Sequence, residues 1–174
     1  MNKLTISLIG AASVLAATPA LAQDTATTTG SFTGPRVGVT VGTGGDDFVD
    51  FDGQTIGVEL GYDAEVNGVV AGVSVEYQTD LGDAFFDVNE TALMFRAGGK
   101  VTPNALLYAT GGLTVLNTGS TPFSGDSDKG ARFGVGAEFG LGNSGALVKL
   151  EQRYYTYGNN TDAFQTVAGI GFRF

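Results

Sequence analysis

Apolar and polar residues alternate along most of the chain after residue 34. The alternation is clearest near residue 135, where Phe133 and Val135 are separated by Gly134. Because successive side chains of a β-strand point to opposite faces, a period of two predicts strands with one apolar and one polar face. The pattern predicts eight such strands, at 35–43, 54–63, 69–79, 90–101, 105–116, 129–141, 146–157 and 163–174.

The segments between the predicted strands alternate in length. The short ones carry turn-forming residues such as Asn67-Gly68, and a seventh segment, 158–162, is a modest exception on the long side. Long loops at one end and short turns at the other are typical of an up-and-down barrel that spans a membrane. The long segments are predicted at 44–53, 80–89 and 117–128, and the short ones at 64–68, 102–104 and 142–145.

Periodicity alone does not say which face points inward. A soluble sandwich turns its polar face to water, whereas a membrane barrel has an apolar outer wall and a polar lumen. Seven of the nine basic residues fall on the polar faces of predicted strands, together with four glutamates. A charge network inside a membrane barrel accounts for this distribution. The predicted lumen charges are Glu59, Glu76, Arg96, Arg132, Glu138, Lys149, Glu151 and Arg153.

Aromatic and glycine residues also follow the two faces. The outward aromatics near the long connections are Tyr77, Tyr154 and Phe164, and those near the short turns are Tyr62, Phe139, Phe172 and Phe174. Two aromatic girdles at the two membrane interfaces are predicted, with ordinary core aromatics as the alternative. Glycines on the polar faces, such as Gly134 and Gly136, either leave room for long charged side chains or only permit strand curvature.

The first 22 residues have the three parts of a secretory signal peptide. A positive start at Lys3 precedes an apolar stretch over 4–17 and the small-residue sequence Ala20-Leu21-Ala22. A membrane anchor is the alternative, but the stretch is short and ends in small residues. We therefore predict a cleaved signal peptide over 1–22, a flexible leader over 23–33 and an outer-membrane β-barrel over 34–174.

Composition excludes several classes of function. The 174 residues include no Cys and no His, so a disulfide framework and the commonest general base and metal ligand are both missing. The formal net charge of −9 argues against a nucleic-acid partner, because phosphate contacts need a basic face. Acidic residues gather in the predicted long loops, where they either bind divalent cations or keep the loops solvated. No catalytic, cofactor or metal site is predicted.

The last predicted strand carries the sharpest motif. It reads AFQTVAGIGFRF and ends with Ile170, Phe172 and Phe174 on one face. This strand resembles the C-terminal assembly signal of bacterial outer-membrane β-barrels. Together with the signal peptide, the eight strands and the girdles, it makes the chain similar to small outer-membrane barrels of the opacity-protein and OmpA-barrel type. The resemblance implies a bacterial outer-membrane location, insertion by the barrel-assembly machinery, contact with outer-membrane lipid and lipopolysaccharide, and a monomer.

Three classes of function are consistent with these observations. The favoured one is a structural or surface-interaction barrel that supports envelope integrity and displays loops. The second is a narrow porin-like channel for small solutes, which is disfavoured because side chains fill the lumen of an eight-stranded barrel. The third is a lipid-modifying barrel enzyme. Known barrel enzymes resemble this chain in size but use His with Ser or Asp, and the chain has no His.

Overall fold

Eight antiparallel strands form one closed barrel. The computed structural model describes residues 32–45, 53–81, 88–121, 124–142, 144–157 and 162–174. Each strand pairs with its neighbours in sequence, and the first pairs with the last, which confirms the predicted all-β up-and-down barrel. The signal peptide and nearly all of the predicted leader lie outside the described residues. The strands are β1 (Gly34–Gly45), β2 (Gly53–Val66), β3 (Val69–Asp80), β4 (Val88–Thr102), β5 (Ala105–Thr121), β6 (Ser124–Gly140), β7 (Ala146–Tyr157) and β8 (Asp162–Arg173).

The burial of side chains shows which face of each strand points inward. Leu60, Leu113 and Val135 are 63%, 69% and 63% exposed on the outer wall. Arg132 and Arg153 are each 1% exposed inside the barrel. An apolar wall around a charged interior is the arrangement of a membrane barrel and the reverse of a soluble sandwich. Within the described ranges, no helix has the length and apolar character needed to cross a membrane.

Tight turns join the strands at one end of the barrel. Asn67 and Gly68 adopt φ values of 54° and 82°, as the two central positions of a type I′ hairpin turn require. Pro103 and Asn104 connect β4 to β5 beside a register irregularity near the end of β4. β1 begins and β8 ends at the same end, as an even number of strands requires. We call this the turn end and the opposite one the loop end.

The hairpin of β5 and β6 is longer than predicted. Each strand has 17 residues, and their pairing continues from Leu116 opposite Asp128 to Thr121 opposite Ser124. The prediction of a long loop over 117–128 is therefore wrong. Beyond the membrane both faces of a strand meet water, so the alternation that marks a half-buried strand is lost there. The strand continues without the pattern that predicted it.

Aromatic side chains line the outer wall at both ends. At the loop end the rings of Tyr154 and Phe164 lie 5.0 Å apart, and at the turn end those of Phe172 and Phe174 also lie 5.0 Å apart. Phe133 pairs opposite Tyr154 and extends the loop-end row, although the sequence pattern had not placed it in a girdle. These positions match the two predicted girdles, since the apolar faces that carry them point outward.

Candidate functional site: the charged lumen

The eight predicted lumen charges all lie inside the barrel. The strands alternate their side chains between wall and lumen, and each of these eight residues is at most 8% exposed. Four further charges are buried with them, so the lumen holds six acidic and six basic side chains joined by ion pairs. The four additional residues are Arg36, Asp63, Glu90 and Arg173.

Asp63 and Glu90 stand at the ends of predicted strands, where the pattern is weakest. Asp63 is an even number of residues from Glu59, and Glu90 is an even number from Arg96, so strand parity alone would have placed both in the lumen. Asp63 is fully buried and Glu90 is 4% exposed. Both are terminal residues of their predicted strands, 54–63 and 90–101, and were not counted among the lumen charges because strand boundaries are the least reliable part of the pattern.

Five of the charges form a loop-end cluster: Glu76, Glu90, Arg132, Glu151 and Arg153. Arg153 Nη1 lies 2.8 Å from Glu76 Oε1, and its Nε lies 2.7 Å from Glu151 Oε1. Arg132 Nη1 lies 2.9 Å from Glu90 Oε1, and Arg132 also pairs with Glu76. Three carboxylates thus share two guanidinium groups.

The remaining charges form a turn-end cluster around Asp63. Arg96 donates to both oxygens of Asp63 at 2.8 and 2.6 Å, and its Nη1 lies 2.8 Å from Glu138 Oε2. Arg173 Nη2 lies 2.9 Å from Asp63 and 2.8 Å from Glu138. Three carboxylates here share four cations. The cluster comprises Arg36, Glu59, Asp63, Arg96, Glu138, Lys149 and Arg173, with Glu59 paired to both Arg36 and Lys149.

Neutral polar side chains surround the loop-end cluster. The Tyr157 hydroxyl donates to Glu90 Oε2 at 3.1 Å, and Gln78 Nε2 donates to the same oxygen at 3.1 Å. The rings of Tyr155 and Tyr157 stack with centroids 6.3 Å apart. These contacts give the buried Glu90 carboxylate partners besides the arginine.

An apolar layer covers the turn-end cluster instead. Phe32, Val70, Leu106 and Tyr108 form one buried group, which we call the apolar cap. Phe32 belongs to the segment that was predicted as a flexible leader, yet it is 2% exposed. Leu106 is fully buried and sits on the polar face of β5. An apolar layer within a polar lumen excludes water from the charges beside it.

The side chains leave almost no open space between the two clusters. A cavity of about 10 Å³ lies among residues that include Glu76, Arg132 and Lys149, which is roughly the space of one water molecule. Gly136 makes room for one of the large side chains, because a Cβ atom there would lie 2.7 Å from the Tyr108 hydroxyl oxygen. At this position the glycine provides space in the lumen.

The predicted assembly residues lie on the outer wall next to the seam between β8 and β1. Ile170 pairs opposite Val39 and Phe172 opposite Val37, and Ile170 is 54% exposed. Phe174 follows β8, and its amide donates to the Pro35 carbonyl at 3.0 Å. The three side chains share one face of the last strand, and their role in assembly stays a prediction.

Metal ligands are not grouped in the part of the chain that the structure describes. Among those residues, no set of three or more acidic, His or Cys side chains is placed to hold an ion. The acidic residues of the first two predicted long loops fall mostly outside the described residues, so the predicted choice between cation binding and solvation stays open there.

Comparisons with known proteins agree with this architecture. A family model described as "Outer membrane protein beta-barrel domain" matches residues 9–174. Among solved structures, the N-terminal β-barrel domain of Pseudomonas aeruginosa OprF matches with a TM-score of 0.59 and 19% identity, covering 80% of this chain and 97% of that one. Ail of Yersinia pestis, described as the attachment invasion locus protein, matches with a TM-score of 0.53 and 13% identity, covering 82% and 97%.

A further similar structure is that of an enzyme. The outer membrane enzyme PagL matches with a TM-score of 0.54 and 15% identity, covering 80% of this chain and 99% of that one. No curated protein matches the chain. At these identities the structural matches establish a shared fold, and that fold carries enzymes as well as other proteins.

Proposed function

Because the chain belongs to the outer membrane protein β-barrel domain family, we propose that it is a non-conducting structural and surface-interaction barrel. The protein is a β-barrel of the bacterial outer membrane. Its role in this proposal is to support the envelope and to display the connections at the loop end outside the cell. The turn end then faces the periplasm, as short turns do in such barrels.

The filled lumen is the observation that supports this proposal. Twelve charged side chains pair across the interior and leave a cavity of only about 10 Å³ between the clusters. Passage of a solute would require several ion pairs to break inside the membrane, and breaking one buried pair costs about 3–5 kcal/mol. A barrel built this way favours stability over transport.

Planar bilayer recordings test the absence of conduction. The refolded protein is expected to give no resolved channel steps under conditions in which a wide porin, prepared in the same way, conducts. Heat-modifiable migration on a gel serves as the control, because it reports that the inserted protein is a folded barrel. Regular conductance steps from folded protein would overturn the proposal in favour of the narrow channel.

The proposal also includes the absence of catalysis. Each of the six buried lumen carboxylates lies in an ion pair with an Arg or Lys, so its oxygens are held by a cation and are not placed to contact a lipid substrate. Mass spectrometry of phospholipid and lipopolysaccharide incubated with the folded barrel checks this point. Loss or transfer of an acyl chain that depends on the protein would contradict it.

The assembly partners are a separate part of the proposal. Ile170, Phe172 and Phe174 would present the last strand to the barrel-assembly machinery, and the finished monomer would contact lipid and lipopolysaccharide along its wall. Deletion of Phe174 is expected to lower the folded outer-membrane fraction and to leave protein in the periplasm. Phe95→Ala, which removes an aromatic side chain from the wall away from the last strand, is the control and is expected to leave the folded fraction unchanged.

A further inference from the structure

We propose that Phe32 is a plug that closes the periplasmic mouth of the lumen and fastens the seam between β1 and β8. This inference goes beyond the structural role proposed above, because it assigns a function to a residue before the first strand. The plug would keep water away from the turn-end cluster. It would also make the closed barrel depend on a contact that no pair of adjacent strands supplies.

The burial of Phe32 is the first observation. The side chain is 2% exposed although it precedes β1 and has no strand partner of its own. It packs with Val70 and Leu106, both fully buried, and with Tyr108. Burying a Phe side chain removes a large apolar surface from water, which favours the position inside the mouth. The contact therefore holds the chain inside the mouth.

The second observation is the composition of the surface that Phe32 packs against, which we call the seat. Inward positions elsewhere in the lumen are mostly polar, yet Val70 on β3 and Leu106 on β5 are apolar and lie together at the turn end. Tyr108 connects this seat to the charges, since the Arg96 guanidinium lies 5.0 Å from its ring centroid. Two inward apolar residues on different strands form a binding surface for a third apolar side chain, and Phe32 occupies it.

Contacts with both neighbours of β1 are the third observation. The guanidinium of Arg173, on β8, lies 5.3 Å from the centroid of the Phe32 ring. Thr33 Oγ1 accepts a hydrogen bond of 3.2 Å from the Glu65 amide on β2. The residues flanking β1 thus touch strands on either side of it. Such contacts fasten β1 to both of its neighbours at the turn end.

Gly34 allows the chain to pass from the buried Phe32 into β1. Its φ of 121° lies in a region that residues with a side chain rarely adopt. A Cβ atom at Gly34 would lie 2.3 Å from the carbonyl oxygen of Phe174, so the backbone of β1 passes very close to the end of β8. Glycine is needed here for both reasons, and the reversal that it permits directs Phe32 into the lumen.

Cysteine labelling tests the plug, because the chain has no Cys of its own. Val70→Cys places a single thiol beneath Phe32, and a water-soluble maleimide reports access to it in the detergent-folded full mature chain. With Phe32 present, labelling is expected to be slow. With Phe32→Ala added, it is expected to rise at least about tenfold, because the mouth then opens without global unfolding. Phe95→Ala, which removes an equal side chain from the wall, is expected to leave the rate unchanged.

The remaining outcomes also decide the proposal. Phe32→Leu keeps an apolar plug and is expected to protect the thiol more than Phe32→Val does; this graded pair replaces the alanine variant if that variant fails to fold. Equal labelling in all Phe32 variants, or equal acceleration by Phe95→Ala, would overturn the plug. Bilayer recordings of Phe32→Ala are expected to show no conduction, because the loop-end cluster still fills the lumen. The plug and the non-conducting role therefore fail separately.

Discussion

The two charge clusters are both built from carboxylates and cations but have opposite charge excess. The loop-end cluster has three carboxylates and two guanidinium groups, whereas the turn-end cluster has three carboxylates and four cations. Together they are balanced, but no ion pair between described residues joins one cluster to the other. Removal of a cation should therefore harm the loop end more, and removal of a carboxylate should harm the turn end more.

The two clusters also differ in the side chains that surround them. Tyr157 and Gln78 donate to a carboxylate at the loop end, while the apolar cap covers the turn end. A charge that loses its partner among hydrogen-bonding groups keeps some stabilisation, whereas one beside an apolar layer keeps little. The comparison teaches that the cost of a lost ion pair depends on local charge balance and on what else can reach the orphaned group.

Arg153→Met is expected to cause the largest loss of stability. It removes the ion-pair partner of Glu151, which keeps only a 2.9 Å hydrogen bond from the Tyr108 hydroxyl among the described residues, and one of the two cations of Glu76. Three carboxylates are then left with a single guanidinium. Breaking a buried pair in this way costs about 3–5 kcal/mol. The urea midpoint of the detergent-folded barrel is the measurement. A midpoint equal to that of the unmodified protein would mean that water screens the loop-end charges.

Glu138→Gln is expected to rank second. The change keeps the shape of the side chain but takes the negative charge from Arg96 and Arg173, which increases the positive excess at the turn end. Losing hydrogen bonds to charged groups costs about 1.5–3 kcal/mol. The same urea titration applies. A smaller loss than that caused by Glu90→Gln would contradict the assigned charge excess.

Lys149→Met should cost less than Arg153→Met, although both remove a buried cation from β7. Glu59 keeps Arg36 as a partner, and the turn-end cluster then holds equal numbers of both charges. We expect a loss of about 1 kcal/mol, the typical net value of one hydrogen-bonded contact. The difference between the urea midpoints of the two variants measures it. Reversal of their order would show that the two clusters act as one.

Glu90→Gln is expected to have the smallest effect. The loop-end cluster then has two carboxylates and two guanidinium groups, and the amide oxygen can still accept from Tyr157 or Arg132. A loss of about 0.5–1 kcal/mol is expected from a weaker hydrogen bond. Tyr157→Phe, which removes one donor to the same site, provides a comparison of similar size. A loss near that of Arg153→Met would show that charge balance does not govern this cluster.

The sequence alone predicts which side chains of a strand share a face, because strand parity is local. Leu60 and Arg132 follow it without exception, and the turn at Asn67-Gly68 follows from residue type. The alternation failed at the β5–β6 extension, where both faces leave the membrane. Local pattern thus predicts the barrel wherever the membrane imposes two different environments on the strand.

The partners of the lumen charges could not be predicted in the same way. Arg173 meets Asp63 across 110 residues of sequence, a contact set by strand register and barrel closure together. Strand parity predicts whether a side chain shares a face with the lumen charges, but it does not predict how deep in the lumen that side chain lies. The burial of Phe32 has no periodic signal at all, since it precedes the first strand, and the hints were the apolar Val70 and Leu106 on polar faces.

Closure of the barrel has one local exception in the long hairpin. β7 ends at Tyr157 opposite Gly130, so residues 124–129 of β6 pair only with β5 among the described residues. A strand edge of this kind can add a strand from another chain, and charged side chains discourage that addition. Asp128 and Lys129 are exposed on this stretch. Where barrels crowd together, this rim resists edge-to-edge aggregation above the membrane surface.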